Sequence, residues 1–205
     1  MTPDYWVQAA RELSDRDAVL RALIERFPGL SLRSRGDAFT TLTRSIVGQQ
    51  ISVKAAESVW QRFATSVGEM TPACVQQTPA ELLREAGLSR QKIGYLHDLG
   101  RRFVDGTIRL SNWPDLDDEA LIAELTQVKG IGRWTAEMFL MFHLLRPDVL
   151  PLDDLGLQKA VRLHYNRGRA VSPGRLRTLG RAWAPWRSVA TWYLWRSLDP
   201  IPVEY

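Results

Sequence analysis

The chain has 205 residues, of which 27 are basic and 23 acidic, for a net charge of +4; this length holds one domain or two small ones. Apolar residues at 45% and charged residues at 24% describe a folded globular protein rather than a disordered one. Cys74 is the only cysteine, which excludes a disulfide framework, a zinc finger and a four-cysteine iron–sulfur site within the chain.

The pattern is helical almost throughout. Apolar residues spaced from Tyr5 to Phe27 predict a helix over 4–27, stopped by Pro28-Gly29. A second helix is expected over 37–48. Gly48-Gln49-Gln50 interrupts it, and Ser52 caps a helix running to about Val67. Thr71-Pro72 and Thr78-Pro79 read as helix starts, since proline is tolerated in a first turn. Short helices follow near 79–86 and 89–105, then an irregular connection holding Ile108, Leu110 and Trp113. Asp117 and Asp118 open a helix to about Gln127, another runs from Arg133 to Leu145, and Pro147 stops it. Asp153-Asp154 begins a helix over 155–163, and the last long one is expected over 184–198. Strand-like alternation is nearly absent and no solenoid period is present. No apolar run approaches ~20 residues, and the opening residues lack the basic-then-apolar plan of a signal peptide. The expectation is a cytoplasmic protein with a reduced thiol and no membrane partner.

Only Lys54, Lys92, Lys129 and Lys159 are lysines, leaving 23 arginines. Arginine presents a rigid fork of donors suited to phosphate oxygens, although a GC-rich genome would favour the same residue. The distribution says more. Asp and Glu are absent from 155 to 198, where Lys159 and eight arginines fall among apolar residues, the mark of a folded basic face.

The most informative stretch is 119–145, in which Val128-Lys129-Gly130-Ile131-Gly132 separates two helical segments. The glycines permit a tight turn and close approach of another backbone. The second helix then starts with unsatisfied N–H groups and the positive end of its dipole, which bind a phosphate oxygen without reading sequence. Ile131 plugs the space between the helices, while Lys129 and Arg133 flank the anion site. Asp153 and Asp154, taken alone, read as caps of the following helix.

The run LTQVKGIGRWTAEMFL followed by LPLDDLGL, with TRSIVGQQISVKAA before it and WAPWRSVATWYLWRS after it, resembles the helix-hairpin-helix DNA glycosylases. Among them it is most similar to the 3-methyladenine DNA glycosylase II group in its compact, all-helical form. Longer members carry a β-rich N-terminal domain, whereas helix here begins almost at residue 4. The resemblance implies an all-α fold of two helical domains, residues 36–148 containing the hairpin and residues 1–35 with 149–205, and an active-site cleft between them. It implies a DNA glycosylase acting as a monomer on double-stranded DNA, in base excision repair and associated with the nucleoid. The reaction would excise 3-methyladenine and 7-methylguanine types of base by N-glycosidic hydrolysis.

Asp154 matches the family's catalytic aspartate, with Asp153 as a capping or orienting neighbour. A carboxylate there would stabilise the positive charge that builds on the sugar as the glycosidic bond breaks. The family's lyases place a Schiff-base lysine where this chain has Trp134, so backbone cleavage is not expected. Trp134, Met138 and Trp195 match the base pocket, where an indole face would attract a cationic alkylated purine. Extruding a base from the duplex needs a residue to fill the gap; Gln50 matches that wedge, with Gln49 the adjacent alternative. Lys129, Gly130, Ile131, Gly132, Arg133 and Thr135 match the phosphate-binding hairpin. No cofactor is required, although the carbonyls of Thr126, Val128 and Ile131 match a site for a monovalent cation. His97, His143 and His164 suggest no metal cluster. Two other readings stay open: a non-catalytic hairpin protein that binds DNA, and a glycosylase for oxidised or deaminated bases.

Overall fold

A computed structural model of the chain describes residues 2–34 and 36–198. Its secondary structure among those residues is helical, as the periodicity requires. The chain divides into two compact units, 35–139 and 1–34 with 140–205. The second boundary therefore falls after Phe139, inside a helix, and not at 148.

The unit 35–139 holds α3 (Ala38–Gly48), α4 (Val53–Val67), α5 (Pro72–Gln77), α6 (Ala80–Glu85), α7 (Arg90–Val104), a 3-10 turn (Leu110–Asp115), α8 (Asp118–Leu125) and the start of α9 (Arg133–Phe142). Five of its helices begin where a side chain satisfies a first-turn amide. Asp37 accepts from Thr40 N, Ser52 from Ala55 N, Thr71 from Cys74 N, Ser89 from Lys92 N, and Asp117 from Ala120 N. The central helix is α7, packed on by α3, α5 and α6. Its buried face (Ile93, Leu96, Leu99) joins Phe39, Leu42, Ile46, Phe63, Val75 and Leu83 in one core. The helix expected to reach Gln127 ends at Leu125, and the connection holding Trp113 winds into the 3-10 turn.

The other unit holds α1 (Trp6–Arg16), α2 (Ala18–Arg26), α10 (Leu155–Tyr165), α11 (Pro173–Trp183) and α12 (Arg187–Leu198). The single helix expected over 4–27 is two helices. Asp17 turns extended, and its Oδ1 accepts the amides of Val19 and Leu20. Its Oδ2 accepts Tyr165 Oη at 2.7 Å and Trp183 Nε1 at 3.3 Å, which holds the break in place. The helix expected to run to Leu145 stops at Phe142, and Leu145 takes a left-handed backbone with φ 55°. The last helix starts at Arg187, not 184. The segment 173–183, for which the sequence suggested no element, is α11, capped by Ser172 with Pro173 in its first turn.

Residues Ser188 to Leu194 of α12 are buried on every side, packed by α1, α2, α10 and α11. A helix without a polar face is the interior of its unit. Trp6, Leu13, Leu20, Leu157, Val161, Leu176, Trp183 and Trp192 form the core around it. No helix among the described residues is long and apolar enough to cross a membrane.

Candidate functional site

The hairpin between α8 and α9 is held from inside by Val128 and Ile131, 1% and 3% exposed. Its two glycines serve different ends. Gly130 has φ 84°, and a Cβ there would lie 2.1 Å from Tyr95 Cδ2 on α7; the fold itself requires a glycine at that position. Around Gly132 nothing lies within 4 Å of a Cβ, so packing does not demand it. Gly132 O accepts Ala136 N–H at 3.0 Å and opens α9. The first-turn amides of a helix have no intrahelical acceptor, and here they follow a residue with no side chain to screen them.

Helix α7 braces the turn. Asp98, 8% exposed, accepts Lys129 N–H at 3.0 Å, Arg101 Nη2 at 2.9 Å and Arg102 Nε at 3.0 Å. Burial pushes its carboxyl up, but these three donors outweigh it and hold the group at about 2. Lys92, a turn and a half earlier, donates Nζ to Val47 O at 2.7 Å, and burial lowers its pKa. That bond caps the end of α3, next to Gly48-Gln49-Gln50. Gln49 turns inward and donates Nε2 to Gly130 O at 2.8 Å. Gln50 is exposed in a left-handed backbone with φ 59°, unusual for a side chain of its size and the kind of strain that collects at working sites. The two glutamines are thus separated in use: one ties its loop to the hairpin, the other is presented to solvent.

The side chain of Lys129 is exposed and Thr135 half-buried at the start of α9. Arg133, expected beside the anion site, is used differently. Its Nη1 donates to Glu119 Oε2 at 2.9 Å and its Nε to Glu137 Oε1 at 2.9 Å. The hydrogen bond to Glu119 raises its pKa further, and the guanidinium clamps α8 to α9. Trp134 is 41% exposed and Met138, one turn on, 7% exposed.

In the unit 1–34 with 140–205, Asp154 caps α10 and is 9% exposed. Its Oδ1 accepts Leu157 N–H at 2.6 Å and Trp195 Nε1 at 2.8 Å. Trp195 in turn stacks on Phe142, with ring centroids 5.7 Å apart and planes 10° from parallel. A Cβ on Gly156 would come within 3.0 Å of Asp154 Oδ1 and 3.1 Å of the Trp195 ring, so that glycine makes room for the pair. Asp153 is exposed, and the capping expected of it is done by Asp154.

The residues that the motifs did not reveal are the supports: Tyr95, Asp98 and Lys92 under the hairpin, Phe142 and Gly156 around the carboxylate. The Arg101 and Arg102 spacing from Asp98 signalled an ion pair within α7. Nothing local linked that pair to Lys129.

Among the described residues no three His, Cys, Asp or Glu side chains could hold a metal ion. The carbonyls of Thr126 and Val128 follow the end of α8, where helical carbonyls run out of partners. Val128 O also accepts Ile131 N–H at 3.1 Å. Neutral oxygens of this kind fit a monovalent cation by chemistry.

The chain belongs to the HhH-GPD superfamily of base excision DNA repair proteins, whose family model matches residues 43–185. It is similar to the crystal structure of DNA-3-methyladenine glycosidase from Bacillus halodurans, with TM-score 0.87 and 35% identity over 93% of this chain and 89% of that one. It is similar also to the Schizosaccharomyces pombe 3-methyladenine DNA glycosylase solved with abasic DNA, with TM-score 0.81 and 30% identity over 97% and 98% of the two chains. A Bacillus subtilis relative, 30% identical over 188 residues, is longer: the match covers 88% of this chain and 66% of that one.

Proposed function

We propose that this protein is a monofunctional DNA glycosylase of the 3-methyladenine glycosylase II type, which hydrolyses the N-glycosidic bond of alkylated bases in duplex DNA. The observation that carries the reading is the Asp154 carboxylate, seated at the start of α10 and oriented through Oδ1 by Trp195 Nε1 and Leu157 N–H. The similarity to 3-methyladenine glycosylases supports the substrate class.

In this mechanism the amides at Gly130–Gly132 and the first turn of α9, with Lys129 and Thr135, receive a phosphate of the damaged strand. Arg133 braces the two helices. Gln50 enters the stack as the nucleotide leaves it, and Gln49 keeps the loop joined to the hairpin. The base lies against the exposed indole of Trp134, whose electron-rich face favours a cationic purine by ~0.5–2 kcal/mol; Met138 lies one turn behind. Asp154 stabilises the positive sugar as the bond breaks and positions the attacking water. An alkylated purine leaves readily, so a strong general acid is not needed. Trp195 serves the carboxylate, since its N–H is committed to Oδ1 and its ring is stacked on Phe142. Thr126, Val128 and Ile131 would hold a monovalent cation through their carbonyls, adding positive charge beside the phosphate. With Trp134 in place of a Schiff-base lysine, the product is an intact abasic strand.

The test is release of free bases from methylated DNA, resolved by chromatography, with borohydride added in a parallel reaction. 3-Methyladenine should appear ahead of neutral lesions, with no covalent complex trapped. Release of no base by a protein that binds DNA would favour the non-catalytic reading. Trapping that depended on Lys129 would overturn the monofunctional one.

A further inference from the structure

Two groups stand out among the 23 arginines of this chain. Arg16, Arg44, Arg101, Arg102, Arg133 and Arg187 are each held by a carboxylate. Arg162, Arg167, Arg169, Arg175, Arg177 and Arg181 are exposed, and no carboxylate among the described residues pairs with any of them. The cause is in the composition: α10, α11 and the turn between them contain no Asp or Glu. Two acids on the neighbouring elements are spent elsewhere. Asp17 is bonded to Tyr165 and Trp183, and Asp148 to Arg187.

This charged surface is a built one. Gly168 N–H donates to Arg162 O at 2.9 Å, and Asn166 Nδ2 donates to Arg169 O at 3.1 Å and Ala170 O at 2.7 Å. Arg167 and Gly168 take left-handed backbones, with φ 52° and 80°. Ser172 then caps α11, and Arg175 Nη2 reaches back to Tyr165 O at 3.5 Å. Like charges on one surface repel one another, and among the described residues no carboxylate pairs with these arginines to offset that repulsion. On α10 and α11 the exposed large hydrophobic residues are Leu155, at the first position of α10, and Leu163. The surface thus lacks the aromatic platforms that bind single strands and the apolar face that enters a membrane. Arginine forks without those features suit the phosphates of a duplex.

We infer that the α10–α11 surface is a second, sequence-blind contact with duplex DNA, separate from the hairpin and from the residues around Asp154. The inference rests on the proposed glycosylase reading and extends it. Asp154 stands at one end of α10 and the arginine turn at the other. At ~1.5 Å per residue the two are about 18 Å apart, which is roughly five base pairs of duplex. The surface therefore grips phosphates about five base pairs from the extruded nucleotide, and it grips undamaged DNA equally well.

The experiment measures binding of Arg162→Gln/Arg169→Gln/Arg177→Gln to undamaged duplex across a salt series. Undamaged duplex needs no base release, so the result is read whether or not the chain excises alkylated bases. Affinity should fall about tenfold or more near physiological salt, and the slope of log affinity against log salt should become shallower by about 2–3. Wild-type affinity and slope in a variant with a wild-type helical CD spectrum would overturn the inference. Should the triple variant lose that spectrum, Arg169→Gln and Arg177→Gln singly carry the test, each making the slope shallower by about 0.9; unchanged slopes in both would overturn it. Strong binding of the wild type to acidic phospholipid vesicles, lost in a variant that still binds duplex normally, would also overturn it in favour of a membrane surface.

Discussion

Trp195 and Asp154, 41 residues apart, are joined by a 2.8 Å hydrogen bond from the indole N–H to Oδ1. The bond aims a carboxylate that also accepts Leu157 N–H at the start of its own helix. Asp154→Asn keeps the cap, because Asn serves that position as well as Asp, but removes the charge. Single-turnover base release should slow by ~10²–10³ while lesion DNA still binds. Trp195→Phe keeps the ring over Phe142 and deletes the donor. Release should slow by roughly tenfold, the loss of one bond to a charged group. A wild-type rate in Asp154→Asn would remove Asp154 from the chemistry.

The two hairpin glycines should separate in experiment. Gly130→Ala forces a Cβ into Tyr95 at φ 84° and should cost about 1–3 kcal/mol in denaturant unfolding. Tyr95→Ala in the same chain should recover the steric part of that loss and leave the backbone part. Gly132→Ala should change stability by less than about 0.5 kcal/mol yet weaken binding to damaged and undamaged duplex alike. Equal effects of the two substitutions on stability would show that the assignment of one glycine to the fold and one to the phosphate is wrong.

Asp98 gives the hairpin an acid limit. Its carboxyl titrates at about 2 in the folded chain, below the ~3.9 of an unfolded one. Its contribution is therefore complete above about pH 4 and is lost as the pH falls towards 2. Arg101 is half exposed, which screens part of the interaction. Between pH 4 and pH 2 the wild type should lose about 1–2 kcal/mol more stability than Asp98→Asn. Parallel stability curves for the two proteins would contradict the role given to the carboxylate.

Gln50 is expected to act only where a base must be replaced. Gln50→Gly relieves the left-handed backbone and should raise stability by about 0.5–1 kcal/mol. The same variant should release alkylated bases much more slowly from duplex DNA, and at the wild-type rate from a single strand. Equal slowing on both substrates would move Gln50 out of the wedge role.

Most helix starts were legible because their signal is local. Asp37, Ser52, Thr71-Pro72, Ser89 and Asp117 each cap the helix they announce. Ser172-Pro173 carries the same signal as Thr71-Pro72, and Leu176, Leu179 and Trp183 recur at helical spacing; α11 was missed because Gly174 and Gly180, poor helix formers, interrupt that pattern. The break at Asp17 carried only a local cap signal, its Oδ1 on Val19 and Leu20 N–H, within an otherwise continuous pattern; Tyr165 and Trp183, which hold its Oδ2, lie 148 and 166 residues away. The site divides in the same way. The hairpin and Asp154 stood out as short motifs, while their supports come from 31, 41 and 81 residues off, in the Lys129–Asp98, Asp154–Trp195 and Gln49–Gly130 bonds. The Arg133 clamp was half legible for a related reason, since its spacing from Glu137 is local but Glu119 closes it from the facing helix.

The Gln49 bond to Gly130 O spans two loops that are 81 residues apart in the chain. It makes the gap between the tip at Gln50 and the amides of the hairpin a fixed length, like that between the jaws of a set gauge. On the proposed reading, with those amides seated on a strand, the tip would meet the base stack at one offset from the phosphate they hold. A protein so built would inspect DNA at a constant register, one nucleotide per phosphate step, and a base would be sampled or passed over according to how readily it yields at that single place.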